Sequence, residues 1–132
     1  MRVHDPLASL RRNHFVQIET PNGVPADLMV AVLPYQFAAI TRSATVLVAG
    51  RPVRICTAED LVIHKLASER PLDHTDVEGV ILRQRSDLDR SYLDRQVRDL
   101  AAGLERPEVL TFYAACLKKA GLPELRPGQG TA

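Results

Sequence analysis

RICTAEDLVIHKLASERPLDHTDVEGVIL, residues 54–82, decides how this chain is read. It opens as a short strand, passes through Thr57 into a helix, breaks at Pro71 and resumes as a second helix. Thr57 with Asp60 three residues on resembles a capping box, although the acidic partner there is usually Glu or Gln. The first helix is predicted over about 57–69 and the second over about 72–86. At about 100° per residue, Ala58, Leu61, Val62 and Leu66 share a face of the first helix. Lys65 projects between Leu61 and Val62 on that face, and His64 falls on the polar side near Asp60. On the second helix Asp73 and Asp76 are neighbours, and Val77, Val80 and Ile81 continue their side.

Each of these ionisable residues carries two readings. Lys65 either lies its stem along apolar surface with its ammonium in water, or aims a point charge into a groove for a phosphate. Asp73 stands near a helix N-terminus, where the helix dipole alone favours a carboxylate. Asp76 sits within an apolar stripe and calls for a cation, Lys65 or Arg70. A buried pair of that kind would fix the two helices relative to each other.

Upstream, the pattern is strand-rich. Pro6–Asn13 suits a short helix, with Pro6 in its first turn. His14–Thr20 reads as a strand with Val16 and Ile18 on one face. Pro21-Asn22-Gly23 reads as a hairpin turn, and Val24–Val32 as the return strand. The even positions Val24, Ala26, Leu28, Val30 and Val32 are all apolar, so that face is expected to meet a core. Asp27, the lone charge of this strand, points to the other face. It is either a solvated strand residue or a carboxylate held rigidly for metal or acid–base work. A helix is expected from Pro34, with Phe37, Ile40 and Ala44 on one face and Arg42 pointing elsewhere. A second hairpin follows, Thr45–Ala49 and Val53–Cys56, turning at Gly50-Arg51-Pro52.

Downstream, everything reads as helix. Leu93, Val97 and Leu100, with Ala101 and Leu104, form the stripe of one helix, and Pro107 opens the last, which Gly121 ends. The pattern is therefore α+β: a small antiparallel or mixed sheet followed by a C-terminal helical subdomain. A single domain is expected over 1–122, with its sheet part at 14–56 and its helical part at 57–122. Residues 123–132, rich in Pro and Gly, are expected to form a flexible tail.

The chain has 132 residues, enough for one real core. A net charge of +1 gives bulk electrostatics no argument for nucleic acid or an anionic membrane. Arg83, Arg85, Arg90, Arg95 and Arg98 interleave with Asp87, Asp89, Asp94 and Asp99, which reads as a solvated helical surface. Cys56 and Cys116 lie in apolar runs and read as buried free thiols. His4, His14, His64 and His74 have no zinc-ligand spacing. No apolar run approaches the roughly 20 residues of a membrane-spanning helix, and MRVHDPLASLRR lacks the apolar core of a secretory signal. A cytoplasmic protein is expected.

TAEDLVIHKLASERPLDHTDVEGVI resembles a region of nucleotidyltransferase-like proteins, the group that contains the AbiEii-type toxins of toxin–antitoxin systems. The matching residues are Glu59-Asp60-Leu61, Lys65-Leu66, Arg70, Asp73 and Asp76. ADLMVAVLPYQFAAITRSATVLVAGRPVRI upstream and LDRSYLDRQVRDLA downstream are similar to the same group, so the likeness spans roughly residues 14–104. It implies a polymerase-β-like fold that transfers nucleotides with two Mg²⁺ ions held by three strand carboxylates. Asp27 would be the third carboxylate and the metal ligand. Lys65, with Arg70 and Asp73, would stand near the phosphates of a nucleoside triphosphate, and Asp76 would join Asp27 and Lys65 in catalysis.

The sequence departs from that group where the chemistry is concentrated. No Gly-Ser motif and no Asp-x-Asp strand precede Asp27; Asp87-Leu88-Asp89 has the spacing but lies in a helical connection. Two of the three metal carboxylates are therefore missing. The expectation is a truncated or degenerate relative without autonomous catalysis, in a toxin–antitoxin or stress module. Two alternatives stand beside it: a Mg-dependent enzyme completed by a partner chain, and a protein–protein interaction module. A missing piece of sheet would leave an open edge, which favours a homodimer or a protein partner. RNA is an open partner class that charge does not indicate.

Overall fold

The structure is a computed structural model that describes residues 5–128. His4 and the last four residues of the expected tail lie outside the described residues. The architecture is α+β, and its strands form two separate two-stranded antiparallel ladders. The chain divides into two compact units, Met1–Phe37 and Ala38–Ala132. The division falls inside a helix, upstream of the sheet-to-helix change at residue 57.

The first unit holds α1 (Pro6–Asn13), β1 (Phe15–Glu19) and β2 (Pro25–Met29). Asp5 caps α1 by accepting from the Ala8 amide at 3.0 Å, and His14 ends it in the left-handed region. β1 and β2 pair with Gln17 opposite Asp27. Thr20 closes the turn with its backbone and its hydroxyl, and Gly23, at φ 76°, supplies the conformation that a side chain resists. Only part of the expected core face is covered. Val16 is buried and Ala26 is half-buried, whereas Leu28 and Val30 are exposed. β2 is shorter than the alternation suggested, because Pro34 and the Gln36 side chain, bonded to the Val32 and Leu33 amides, start a helix early.

That helix, α2 (Pro34–Arg42), bridges the division. Its expected inner face is not the one that packs: Phe37 and Ile40 are exposed, and Ala39 is buried. Arg42 decides the rotation, because its guanidinium is drawn to Asp60.

The second unit continues with β3 (Ala44–Val48) and β4 (Arg51–Ile55). The turn is Ala49-Gly50, both at positive φ, rather than Gly50-Arg51-Pro52. A two-residue turn with two positive φ values matches the twist of the strands it joins. Pro52 is tolerated inside β4 because it stands opposite Leu47, one step removed from the pair that flanks the turn.

The core of this unit is helical. α3 (Ala58–Ala67), α4 (Pro71–Gln84), α5 (Arg90–Gly103) and α6 (Glu108–Lys119) follow one another. α3 packs on α4 and α5, and α6 packs on the same two. The seam is Val62, Ile63 and Leu66 of α3, Val77 and Ile81 of α4, Leu93 and Val97 of α5, and Tyr113 and Leu117 of α6. Burying each such aliphatic side chain is worth about 1.5–3 kcal/mol. The face of α3 is rotated from expectation: Ile63 is buried and Leu61 only half-buried. Between α4 and α5 a single 3-10 turn, Arg85–Asp87, changes direction. Asp89 caps α5 through the Tyr92 amide, and the buried Glu59 carboxylate accepts the Asp89 amide at 2.8 Å.

Candidate functional site

The motif residues of α3 and α4 meet. Lys65 leaves the last turn of α3, and Asp73 and Asp76 leave the first turns of α4. The three residues between the helices, Ser68-Glu69-Arg70, bring these ends together. The Lys65 ammonium donates to Asp73 at 2.7 Å and to Asp76 at 2.9 Å. Arg70 holds the other Asp73 oxygen at 2.8 Å. Asp73 is buried, Lys65 is half-buried, and Arg70 is exposed. Asp76 therefore finds its cation in Lys65 and not in Arg70.

The electrostatics follow from these contacts. The Lys65 ammonium is held above its ordinary value, first by the Asp73 hydrogen bond and then by Asp76. The Asp73 carboxyl is held well below the usual carboxylate range, chiefly by Lys65, with Ser68 and Arg70 adding to it. His74 completes the corner: its Nε2 lies 3.0 Å from the Ser68 carbonyl, and its ring stacks at a tilt on Phe112, 4.8 Å between centroids. Arg106 donates to the Ala67 carbonyl at 3.2 Å and satisfies the C-terminal end of α3. Four motif residues, Lys65, Arg70, Asp73 and Asp76, thus form one mutually neutralising set.

Asp27 belongs to the first unit. It is exposed on β2 and accepts from Gln17 Nε2 across the ladder at 3.0 Å. Mg²⁺ takes an octahedron of oxygens and is usually held by more than one carboxylate together with substrate phosphates. Among the described residues, no three His, Cys, Asp or Glu side chains are gathered closely enough to hold a metal. Asp27 as a lone donor with an amide on one oxygen does not fit the two-metal centre that the resemblance implies. Asp87 and Asp89, the pair with the right spacing, lie in the 3-10 turn and at the α5 cap.

A second polar cluster was not foreseen. Asp60 is fully buried, and its carboxylate accepts from Tyr92 at 2.5 Å, Thr57 at 2.9 Å and Arg42 at 3.2 Å. The Arg42 guanidinium also lies 3.6 Å over the Tyr92 ring. These contacts tie α2, α3 and α5 together. The Tyr92 hydroxyl is pushed up to about 12 by burial first and by Asp60 second. A third cluster corrects the expected solvated face of α5. Asp94 is buried, clamped by Arg90 at 3.0 and 3.1 Å and by the Tyr113 hydroxyl at 2.6 Å. Burial, then the Asp94 contact, raises the Tyr113 hydroxyl far above its ordinary value. The i,i+4 spacing of Arg90 and Asp94 was a usable signal for this pair. Nothing comparable in the sequence pointed from Asp60 to Tyr92, thirty-two residues away.

Cys56 and Cys116 are free thiols, half-buried and buried. No helix among the described residues is long and apolar enough to cross a membrane. Comparison with protein-family models, curated proteins and solved structures finds no match for this chain.

Proposed function

We propose that this chain is a nucleotidyltransferase-like protein without a catalytic centre of its own, in which the motif of α3 and α4 acts as a scaffold. One observation carries this reading. The Lys65 ammonium, the group that would meet a nucleotide phosphate, is neutralised by Asp73 and Asp76 at 2.7 and 2.9 Å. A phosphate approaching it would have to compete with two carboxylates already bonded to the ammonium, and their repulsion opposes the binding that the resemblance implies. The set instead resembles a helix clamp, which holds α4 against α3 at the Ser68–Arg70 corner. A cytoplasmic role in a toxin–antitoxin or stress module is the setting that the sequence resemblance supports, and a homodimer or a protein partner is the form.

The second reading, a Mg²⁺- and nucleoside triphosphate-dependent enzyme completed by a partner chain, draws on Asp27. That carboxylate is exposed on a strand, where a partner's carboxylates could join it. One experiment separates the two. The chain, alone and together with the proteins that co-purify with it, is incubated with labelled nucleoside triphosphates, Mg²⁺ and RNA or protein acceptors, beside Asp27→Ala under the same two conditions. The first reading expects no transfer by either protein. Transfer by the wild-type chain that Asp27→Ala abolishes overturns it and supports the second.

A further inference from the structure

The β3–β4 hairpin is built asymmetrically. β4 carries Arg51, Pro52 and Arg54, and β3, Ala44-Thr45-Val46-Leu47-Val48, carries neither charge nor proline. Charge and proline are the devices by which proteins blunt the outer edge of a sheet. The turn says which groups face outward. Val48 and Arg51 flank a two-residue turn and so exchange both of their hydrogen bonds. Alternation along the ladder then turns the backbone groups of Thr45 and Leu47 outward from β3, and those of Pro52 and Arg54 outward from β4. Pro52 removes a donor from the β4 edge, while the β3 edge keeps all of its donors and acceptors. β4 is made as an edge strand and β3 as an interior one. Yet among the described residues β3 pairs only with β4, and an isolated two-stranded hairpin is marginal in water.

The apolar side chains agree. Ala44, Val46, Val48, Val53 and Ile55 share one face of the hairpin, with Arg51 at its turn end opposite Val48. Val46 is 38% exposed and Val53 is 41% exposed, on a face whose composition suits a core.

We infer that β3 pairs antiparallel with β3 of a second copy of this chain, about a two-fold axis at Val46. The outward-facing residues Thr45 and Leu47 are symmetric about Val46. Self-pairing therefore sets Thr45 opposite the partner's Leu47 and closes four hydrogen bonds, with the two Val46 side chains adjacent. The result is a four-stranded sheet with one face that is apolar at its centre and carries Arg51 on each outer strand. Charge fits this occupant. The β3 edge carries no charge: Arg51 and Arg54 belong to β4, and the Arg54 guanidinium is held within its own chain by the Ser43 hydroxyl at 2.9 Å and the Ser43 carbonyl at 3.1 Å. A charged strand would find no counter-charge along this edge, whereas the uncharged β3 of a second copy meets its like. The inference rests on the hairpin alone and is independent of the nucleotidyltransferase-like reading.

The test is light scattering of the full chain across micromolar to millimolar concentrations, combined with cysteine cross-linking. The expected mass at the upper end is twice that of the chain. Val46→Lys places two ammonium groups side by side at the axis, and Leu47→Pro removes outward donors without touching the β3–β4 ladder; both are expected to be monomeric with unchanged circular dichroism. Val46→Cys is expected to yield an oxidised dimer, since directly opposed Cα atoms lie within disulfide reach. Leu47→Cys, diagonal to its copy, is expected not to. A wild-type chain that stays monomeric throughout overturns the inference, as does a dimer that survives Val46→Lys and Leu47→Pro. Cross-linking through Leu47→Cys in preference to Val46→Cys overturns the register and the axis.

Discussion

Asp60→Ala is the substitution with the largest expected effect on stability. Asp60 is 0% exposed, and its two oxygens take a tyrosine hydroxyl, a threonine hydroxyl and a guanidinium. Removing one partner of a buried ion pair costs about 3–5 kcal/mol. The Arg42 side chain is 33% exposed, so its abandoned charge regains some water and the lower end applies. Tyr92 stays buried and loses its acceptor, a loss of about 1–3 kcal/mol that overlaps the first figure. The net expectation is about 3 kcal/mol. For a chain of this length that corresponds to a fall in Tm of roughly 12 °C. Asp60→Asn keeps an oxygen for Tyr92 but turns an amide toward Arg42, so about half the loss is expected. The assay is thermal and urea unfolding followed at 222 nm, with an ultraviolet titration of tyrosine in each variant. The native tyrosine titration moves below about 12 when Asp60 is replaced, because the carboxylate no longer opposes ionisation of Tyr92. A loss under about 1 kcal/mol would refute the reasoning, since leaving the buried Tyr92 hydroxyl without its acceptor alone costs about 1–3 kcal/mol.

Tyr113→Phe is expected to lower stability by about 1–2 kcal/mol in urea unfolding, because Asp94 keeps its two bonds to Arg90. The Cys116 thiol is pushed up to about 11, first by burial and then by Glu78; it is expected to resist a thiol reagent at pH 8 and to react after urea unfolding. At high pH, Tyr92 keeps its proton to about 12 in the folded chain and loses it near 10.0 when unfolded. Its contribution is therefore complete below 10 and lost between 10 and about 12, where unfolding against pH is expected to steepen. At low pH the sign reverses: Asp73 ionises more readily when folded, so its contribution is complete above 3.8 and lost as pH falls below that value. Lys65→Met is expected to flatten that acid limb in the same unfolding series, since Lys65 is the main cause of the Asp73 shift.

The helix pair was legible because its signals are local. Thr57 caps α3, Pro71 starts α4, and the spacing of Lys65, Asp73 and Asp76 brings them to one corner. The hairpins were legible as pairs of strands but not in their turns. Proline habit favoured a turn at Pro52, while the structure turns at Ala49-Gly50, and only the pairing direction shows why Pro52 fits in β4. Burial was legible where periodicity reports it, as at Val97 and Leu100, and not where a distant polar partner overrides it. Arg42 rotates α2 through Asp60, so Phe37 and Ile40, read as core, are exposed. Asp60 and Asp94 were read as a cap residue and a surface charge. Their burial depends on Tyr92 and Tyr113, which come from other helices, and helical spacing carries no information about such contacts.

The central claim is that Lys65 and the α4 carboxylates hold two helices together rather than a nucleotide. A double-mutant cycle of Lys65→Met and Asp73→Asn, read as urea unfolding midpoints at 222 nm, tests it most directly. The clamp predicts that each single variant is less stable than wild type, and that the double variant is no less stable than the weaker single one. Single variants as stable as wild type, or losses that simply add, would contradict it.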